Sequence, residues 1–511
     1  VSILVKGTAT GTVTDFDGQY SLNVPSGADT LVFSYVGYQT QEVPVDGRTE
    51  INVVLQVGDI ALDEFVVVGY GVQRRETLTG SVSAVSGEQL EKAPSINMSN
   101  TLAGRLPGIV TVNSSGEPGY DGASINIRGV QTLNNNSPLI VIDGVPNRSG
   151  GLDRLNPRDI ANISILKDAS AAIYGSQAAN GVILITTKRG QSGAPRFTVD
   201  INQGFNQPTR IPEMADAATY LTMLNELDLY RGRTPAYSEE EIQKYREGAD
   251  PWLYPNTDWF AEALKPLSMQ TRASASISGG SDNMKYFLSF GGLTEDGYYR
   301  NSATRYNQYD FRSNIDGQIS DNFTLSFDVS GRYEDRNFPT QPAGATFRML
   351  MRGKPHLPAF WPNGLPGPDI ENGQNPVVTG TDATGYDNDE RYYFQSNLRA
   401  VVDIPAIKGL TLTGNLAIDQ YVQNRKLWNT PWTLYTWDYA TRDENGEPVL
   451  TGAKRGPTEP ELRQWSDNGR NILTNLVANY NRDFGVHSVG ALVGTEYRKD
   501  RFINFPAYRG N

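Results

Sequence analysis

The feature that most constrains this 511-residue chain is an alternation of period two that begins near residue 196 and persists to the end. It is clearest on either side of residues 320–322. Before them Tyr309, Phe311 and Ile315 alternate with Asp310, Arg312, Asn314, Asp316 and Gln318. After them Phe323, Leu325, Phe327, Val329 and Tyr333 alternate with Thr324, Ser326, Asp328, Ser330, Arg332 and Glu334. Successive side chains of a strand point to opposite faces, so each run presents one apolar and one charged face. Each run also reaches the ~9–11 residues that cross a bilayer when tilted, whereas strands of soluble sandwiches average about 5–6.

Nine such strands are expected. Short turns near 280–283, 320–322, 404–408 and 483–486 alternate with long loops near 207–270, 337–388 and 422–468. That asymmetry is the habit of bacterial outer-membrane barrels, whose single chains carry an even number of strands. The odd count implies a sequence that is C-terminally incomplete. Within the first long loop a helix is predicted over Ala217–Tyr230, capped by Asp216, with Tyr220, Leu221, Leu224 and Leu227 as a stripe for ordinary packing.

Composition agrees with the barrel and narrows the chemistry. Mean hydropathy is −0.44 and no apolar stretch approaches ~18–20 residues, which excludes a helical membrane protein. A barrel keeps hydropathy low because only every second residue meets lipid, and the 26 tyrosines suit aromatic girdles; a large soluble all-β protein shares these traits. Forty-five basic against 57 acidic residues argue against nucleic acid as a partner. There is no cysteine, and His356 and His487 are the only histidines, so disulfides, thiolate chemistry and multi-imidazole metal sites are excluded; no cofactor or metal is expected. The first residues lack the character of a signal peptide, so any leader is expected to be cleaved or upstream.

Residues 1–57 read as a small β domain, with strands at 11–14, 19–24, 30–35 and 49–55 and a turn at Asp17-Gly18. The spacing Asp15-x-Asp17 is a turn rather than a calcium loop, since the further acidic ligands are missing. Residues 58–77 read as a linker, yet one holding a strand-prone run: Asp63, Glu64, then Phe65, Val66, Val67, Val68 and Gly69. Either it is a buried strand or it is kept available to add to a partner's sheet edge. Residues 78–190 are mixed α/β. Helices are expected after Ser86 and over 97–105, and strands at 109–112, 124–128, 138–142, 162–166 and 181–187, the last buried on both faces. Asp143-Gly144 marks a turn, and Asp168 is placed to N-cap a helix over 169–174. Residues 191–511 hold the barrel strands.

The motifs LDEFVVVGYG (62–71), LTGSVS (78–83), LAGRLPG (102–108), IRG (127–129), PLIVIDGVP (138–146), LKDASAAIYG (166–175) and AANGVILITT (178–187) occur in this order. Together they resemble the plug of the SusC-like TonB-dependent outer-membrane transporters of the Bacteroidota, and residues 1–57 resemble the carboxypeptidase-regulatory-like β-sandwich that precedes it. The opening at residues 5–8 implies that the first strand of that sandwich is missing. The resemblance implies a plug inside a 22-strand barrel, of which about nine strands are present. It also implies a SusD-like surface lipoprotein as lid and traction by TonB with its ExbB/ExbD energy complex. The TonB-binding segment would be Asp63 to Gly69. The plug motif residues would be Arg128, Gly129, Asp143, Gly144, Lys167, Asp168, Tyr174, Gly175, Asn180 and Gly181. The cargo would be an oligosaccharide more than a peptide, the setting outer-membrane lipid, and the assembly a dimer of transporter–lid pairs.

Three further expectations follow. Asp310, Arg312, Asp328 and Arg332 should face inward and hydrogen-bond plug and water. Trp252, Trp259, Trp361, Trp428 and Trp432 are candidates to stack on sugar rings, with loop packing or interface anchoring as the alternative. Neither histidine has a Ser–Asp constellation beside it, so an enzyme is not expected. The rival reading is a lidless receptor for a metal chelate or a signalling ligand; a soluble adhesin is disfavoured by the long strands.

Overall fold

The computed structural model describes the chain apart from residues 7, 9, 16–17, 26–29, 36–40, 56–64, 69–70, 75–81, 94, 131, 134, 301–303, 486 and 510–511. Asp17, Asp63, Glu64 and Gly69 therefore lie outside the described residues. The chain divides into two compact units, Val1–Val66 with Gly71–Thr79, and Val67–Tyr70 with Gly80–Asn511.

The first unit is built on an antiparallel sheet of β1 (Ser2–Val5), β2 (Gly11–Val13), β3 (Thr30–Ser34) and β4 (Gln41–Pro44), in the order β2-β1-β3-β4. Strand β1 is central, a position the sequence reading missed; Ile3 and Val5 from it pack with Leu31, Phe33 and Ile51. Residues 19–24 and 49–55, expected as strands, are extended and turn alternate side chains inward without joining the sheet ladder. They are tied instead by side chains: the Tyr20 hydroxyl donates to the Ile51 carbonyl at 2.8 Å, and its ring meets Phe33 edge-on. In the linker, β5 (Phe65–Val68) and β6 (Gly71–Arg74) form a two-stranded sheet.

The second unit opens with the plug. Its strands are β7 (Val82–Ser86), β8 (Ile109–Asn113), β9 (Ala123–Ile127), β10 (Leu139–Ile142), β11 (Val145–Pro146), β12 (Ile160–Leu166) and β13 (Val182–Thr187). Five of them form a sheet in the order β11-β10-β13-β12-β7, with β10 and β13 parallel; β8 and β9 pair separately. Strand β13 lies inside this sheet and is buried along nearly its whole length, as its continuous apolar run requires. Helices α1 (Gly87–Glu91) and α2 (Met98–Thr101) cover the sheet, and Leu90, Met98 and Leu102 join Ile142, Ile163 and Ile165 in the core. Helix α2 is shorter than expected, stopping before the Gly104 and Gly108 turns; Asn97 caps it by accepting from the Ser99 amide. Ser86 precedes α1 without a side-chain cap bond.

The wall is a nine-stranded sheet in which each member runs antiparallel to the next: β14 (Gly193–Asn206), β15 (Ser268–Gly280), β16 (Met284–Asp296), β17 (Arg305–Ser320), β18 (Phe323–Phe338), β19 (Gly385–Asp403), β20 (Leu410–Asn429), then, after the small loop hairpin β21 (Trp432–Thr436) and β22 (Thr451–Arg455), β23 (Glu461–Phe484) and β24 (His487–Arg509). The nine strands and the alternation of short turns with long loops are as the sequence reading has them. No helix among the described residues is long and apolar enough to cross a membrane. The long loops carry α3 (Ala217–Tyr230), α4 (Glu239–Glu247), α5 (Trp259–Ala263), α6 (Ala343–Met351) and α7 (Pro376–Thr379). Asp216 caps α3 through the Thr219 amide at 2.7 Å, and Leu221 of α3 packs on Ile242 of α4.

Candidate functional site

The period-two pattern places charges where the wall meets the plug. On β17 and β18 the even-numbered residues face inward: Arg312, Asn314, Asp328 and Glu334 are buried, while Tyr309, Phe311 and Phe327 on the opposite face are exposed. All four inward residues singled out from the sequence reach the plug. Arg312 lies 3.7 Å from Asp143 and 3.4 Å from Asp159. Asp328 accepts from Arg189 at 2.8 Å, Asp310 from Asn156 at 3.5 Å, and Arg332 donates to the Gly150 carbonyl at 2.9 Å.

The densest contact is a short reverse turn after β11. Arg148 makes a two-pronged bond to Asp419 of β20, at 3.1 and 2.7 Å, and donates to the Ser396 carbonyl. Gln395 donates to the Ser149 carbonyl at 2.7 Å. Gly150 sits at φ 86°, and a Cβ there would lie 2.1 Å from the Arg332 guanidinium. Only a glycine satisfies both the left-handed backbone and the approach of the wall. These partners are separated by up to 271 residues, which is why the sequence did not reveal them.

The plug motif residues are chiefly scaffold. Asp143 and Gly144 both have positive φ, 50° and 81°, and the Asp143 carboxylate accepts from the Thr187 amide and hydroxyl, both at 2.9 Å, locking the turn onto β13. Arg128 and Gly129 also have positive φ, and the Arg128 amide donates to Gly108. Lys167 is buried and donates to Ser83 at 3.0 Å and to the Pro107 carbonyl, joining the edge strand β7 to the loop before β8. The expected helix over 169–174 is instead a 3-10 stretch, Asp168–Ala178, broken at Gly175 (φ 70°). Asp168 is its first residue, and Lys167 occupies the cap position. Tyr174 packs on the Leu139–Val182 cluster, and Asn180 ties the stretch to the Asn135 carbonyl at 2.9 Å. Gly181, at φ 85°, admits the Ile127 side chain.

Above the plug the loops enclose a cavity of about 660 Å³. Its floor is plug residues 114–118, and its walls include Ile211, Phe260, Tyr298, Phe347 and Met351. Burial, and then the charge of Asp387, push the Glu117 carboxyl up to about 7. Burial also pushes Asp159, at the wall contact, up to about 6 against the pull of Arg312. Sequence reasoning did not find this cavity, because it is assembled from five separate segments.

The five tryptophans do not form one stacking platform. Trp259 and Trp361 are buried, with ring N–H groups donating to the carbonyls of Lys354 and Tyr435. Trp252 is stacked on Trp361 at 5.6 Å. Trp432 packs against the loop core formed by Trp259, Leu350 and Leu434. Trp428 alternates with Arg425, which bonds Asp387 inside, by an odd step, so it lies on the outer face. Trp252, Trp259, Trp361 and Trp432 are thus engaged in loop packing, and Trp428 lies on the outer face of the wall.

Comparison with known proteins agrees with this architecture. Residues 74–182 match the TonB-dependent receptor plug domain, and residues 1–67 match the CarboxypepD_reg-like domain. TonB-dependent receptor P3 of Formosa agariphila is 33% identical over 515 residues, covering 98% of this chain and 46% of the relative. TonB-dependent receptor SusC of Bacteroides thetaiotaomicron is 37% identical over 314 residues, 60% of this chain and 29% of the relative. The RagAB peptide importer in its open-open state superposes with a TM-score of 0.69 at 23% identity, over 87% of this chain and 50% of that one. The chain thus spans less than half the length of the curated relatives it matches.

A plug bonded to a wall of long amphipathic strands, with these domains in this order, defines a TonB-dependent receptor of the bacterial outer membrane. Within that class the chain belongs with the SusC-like receptors. Its relatives are receptors and transporters, not enzymes.

Proposed function

We propose that this chain serves TonB-dependent active import of a nutrient oligomer across the outer membrane, together with a SusD-like lipoprotein lid, in a dimer of transporter–lid pairs. The observation that carries the reading is the polar, hydrogen-bonded seat of the plug beneath a roofed cavity: a seal that water re-solvates when the plug is drawn aside. The TonB-binding segment is Asp63 to Gly69. Its described part, β5, pairs among the described residues with β6 in a two-stranded sheet, which suits exchange for, or addition of, a partner strand.

On cargo, the structure moves the weight. With Trp259 and Trp361 spent on packing, the support for stacked sugar rings falls away. The cavity walls are mainly aliphatic and aromatic, a lining that suits peptide side chains better than hydroxyl-rich sugars. Peptide is therefore the second reading beside oligosaccharide.

Changing Val67 to Pro removes a backbone donor from the strand. Uptake is expected to vanish while surface expression and ligand capture stay intact; undiminished uptake would refute this assignment. Mild-detergent purification of the natively expressed protein should bring down a near-stoichiometric lipoprotein with retained oligomer. Recovery of the receptor alone, with a metal chelate, would favour the lidless alternative.

A further inference from the structure

The outer face of strands β17 to β20 is ordered in rows, because the register across the four strands runs without a shift from the long-loop ends as far as Gln318 of β17. Tyr309, Tyr333 and Tyr392 are direct cross-strand partners, the first two rings stacked with centroids 6.4 Å apart and the last two tilted at 4.8 Å. One row toward the short turns come Phe311 and Phe394, both exposed, and then rows of mainly aliphatic residues. One row toward the long loops the partners are Asn307, Asp335, Glu390 and Asn424. The next row is Arg305, Asn337, Asn388 and Lys426. Aromatic belts mark the membrane–water interface. The Arg305–Lys426 row therefore lies roughly 13 Å along the strands beyond it, on the side of the long loops.

These two outer rows together form a groove. Arg305, Asp335, Asn337, Asn388 and Lys426, closed at one end by Asp382 from the loop before β19, line a groove of about 490 Å³. The two cations stand at its opposite flanks, three strand spacings or roughly 14 Å apart at the backbone. Neither makes an ion pair or side-chain hydrogen bond among the described residues, whereas Arg312, Arg332, Arg336, Arg391 and Arg425 on the inner face are paired. Between them lie amides and carboxylates, with Asn388 donating to Asp335 at 2.9 Å. Unpaired Arg and Lys recognise phosphate, whereas neighbouring carboxylates and amides take sugar hydroxyls. A soluble anion would meet Asp335 and Asp382 without compensation; a phosphorylated sugar satisfies both sets.

We propose that this groove holds the phosphorylated headgroup of a glycolipid in the outer leaflet, its acyl chains running down past the tyrosine row over Phe311 and Phe394. The phosphate is held from the flanks by Arg305 and Lys426, and sugar hydroxyls bond to Asp335, Asp382 and the row's amides. The site lies on the side of the wall away from the plug, apart from the cargo route.

The test uses the natively expressed full-length protein in mild detergent, with native mass spectrometry counting bound lipid A, the same lipid after enzymatic dephosphorylation, and inorganic phosphate. Wild type is expected to bind lipid A at least tenfold more tightly than the dephosphorylated lipid, and the R305Q/K426Q double variant to lose that preference. K426R, which keeps the charge, should retain it, and heat-modifiable gel mobility checks that each variant is folded. Equal binding of phosphorylated and dephosphorylated lipid, or undiminished binding by the double variant, would overturn the proposal. Inorganic phosphate binding as tightly as the lipid would also overturn it, by making the groove a plain anion site.

Discussion

Where the plug meets the wall, the paired groups are Arg148 with Asp419 and Arg312 with Asp159, all buried, and half-buried Arg189 with Asp328, alongside small apolar clusters such as Val145, Ala417 and Leu473. In the loop assembly above the plug they are Trp259, Phe260, Leu350, Val377, Val378 and Leu434, contributed by three long loops to one continuous core. The two regions are comparably dry but are held by opposite means. Apolar burial contributes about 25 cal/mol per Å² and is lost outright when the surfaces part. A buried ion pair gives back most of its Coulomb energy as desolvation, and its charges are stabilised again when water enters. The loop core resists parting, whereas the seat of the plug tolerates the entry of water.

That contrast can be broken by mutation. The largest effect is expected from Trp259→Ala, which empties a buried aromatic site and should cost about 3–5 kcal/mol, seen as early melting and protease cleavage of the long loops. A loss below ~1 kcal/mol would mean the loop core is not the unit described. Asp419→Asn leaves Arg148 buried beside a neutral partner. It should speed hydrogen exchange at residues 145–152, by about 1–3 kcal/mol of local stability, while the loops stay as protected as before. The matched double change Arg148→Met with Asp419→Leu should fall within about 1 kcal/mol of wild type in stability yet slow the plug's release, because the junction is then apolar. Faster release in that variant would contradict the comparison.

The smallest effect is one of pH. Glu117 and Asp159 have folded-state values of about 7 and about 6, above the ordinary carboxylate range, chiefly through burial. Their protonated forms thus favour the docked plug. The added stability is fully present below pH ~4 and is lost as pH rises through 6 and 7. Plug amides, corrected for intrinsic exchange, should be better protected at pH 5.5 than at pH 8, and Glu117→Gln should flatten the upper part of that profile.

The wall was legible because lipid on one side and polar plug on the other force a choice at every residue: Tyr309 and Phe311 go out, Asp310 and Arg312 go in. Period two records that choice directly in the sequence. The plug was legible through its turns, since Asp143-Gly144 announces itself wherever positive φ is required. Pairings such as Arg148 with Asp419 were not, because nothing local distinguishes an arginine that will meet a carboxylate 271 residues away. Residues 19–24 misled because alternating burial was taken to imply ladder bonding. Trp361 could be read either way, because nothing local tells whether a loop has an interior of its own for its aromatics to fill.

The turn at residues 148–150 has a consequence in time. Asp419, Ser396, Gln395 and Arg332, drawn from three wall strands, all close on these three consecutive residues. A fastening so concentrated does not loosen by degrees: with one contact gone, the rest are exposed to water together. If the plug is drawn aside as proposed, release from this side of the wall would be an all-or-none event with a single waiting time set by that turn.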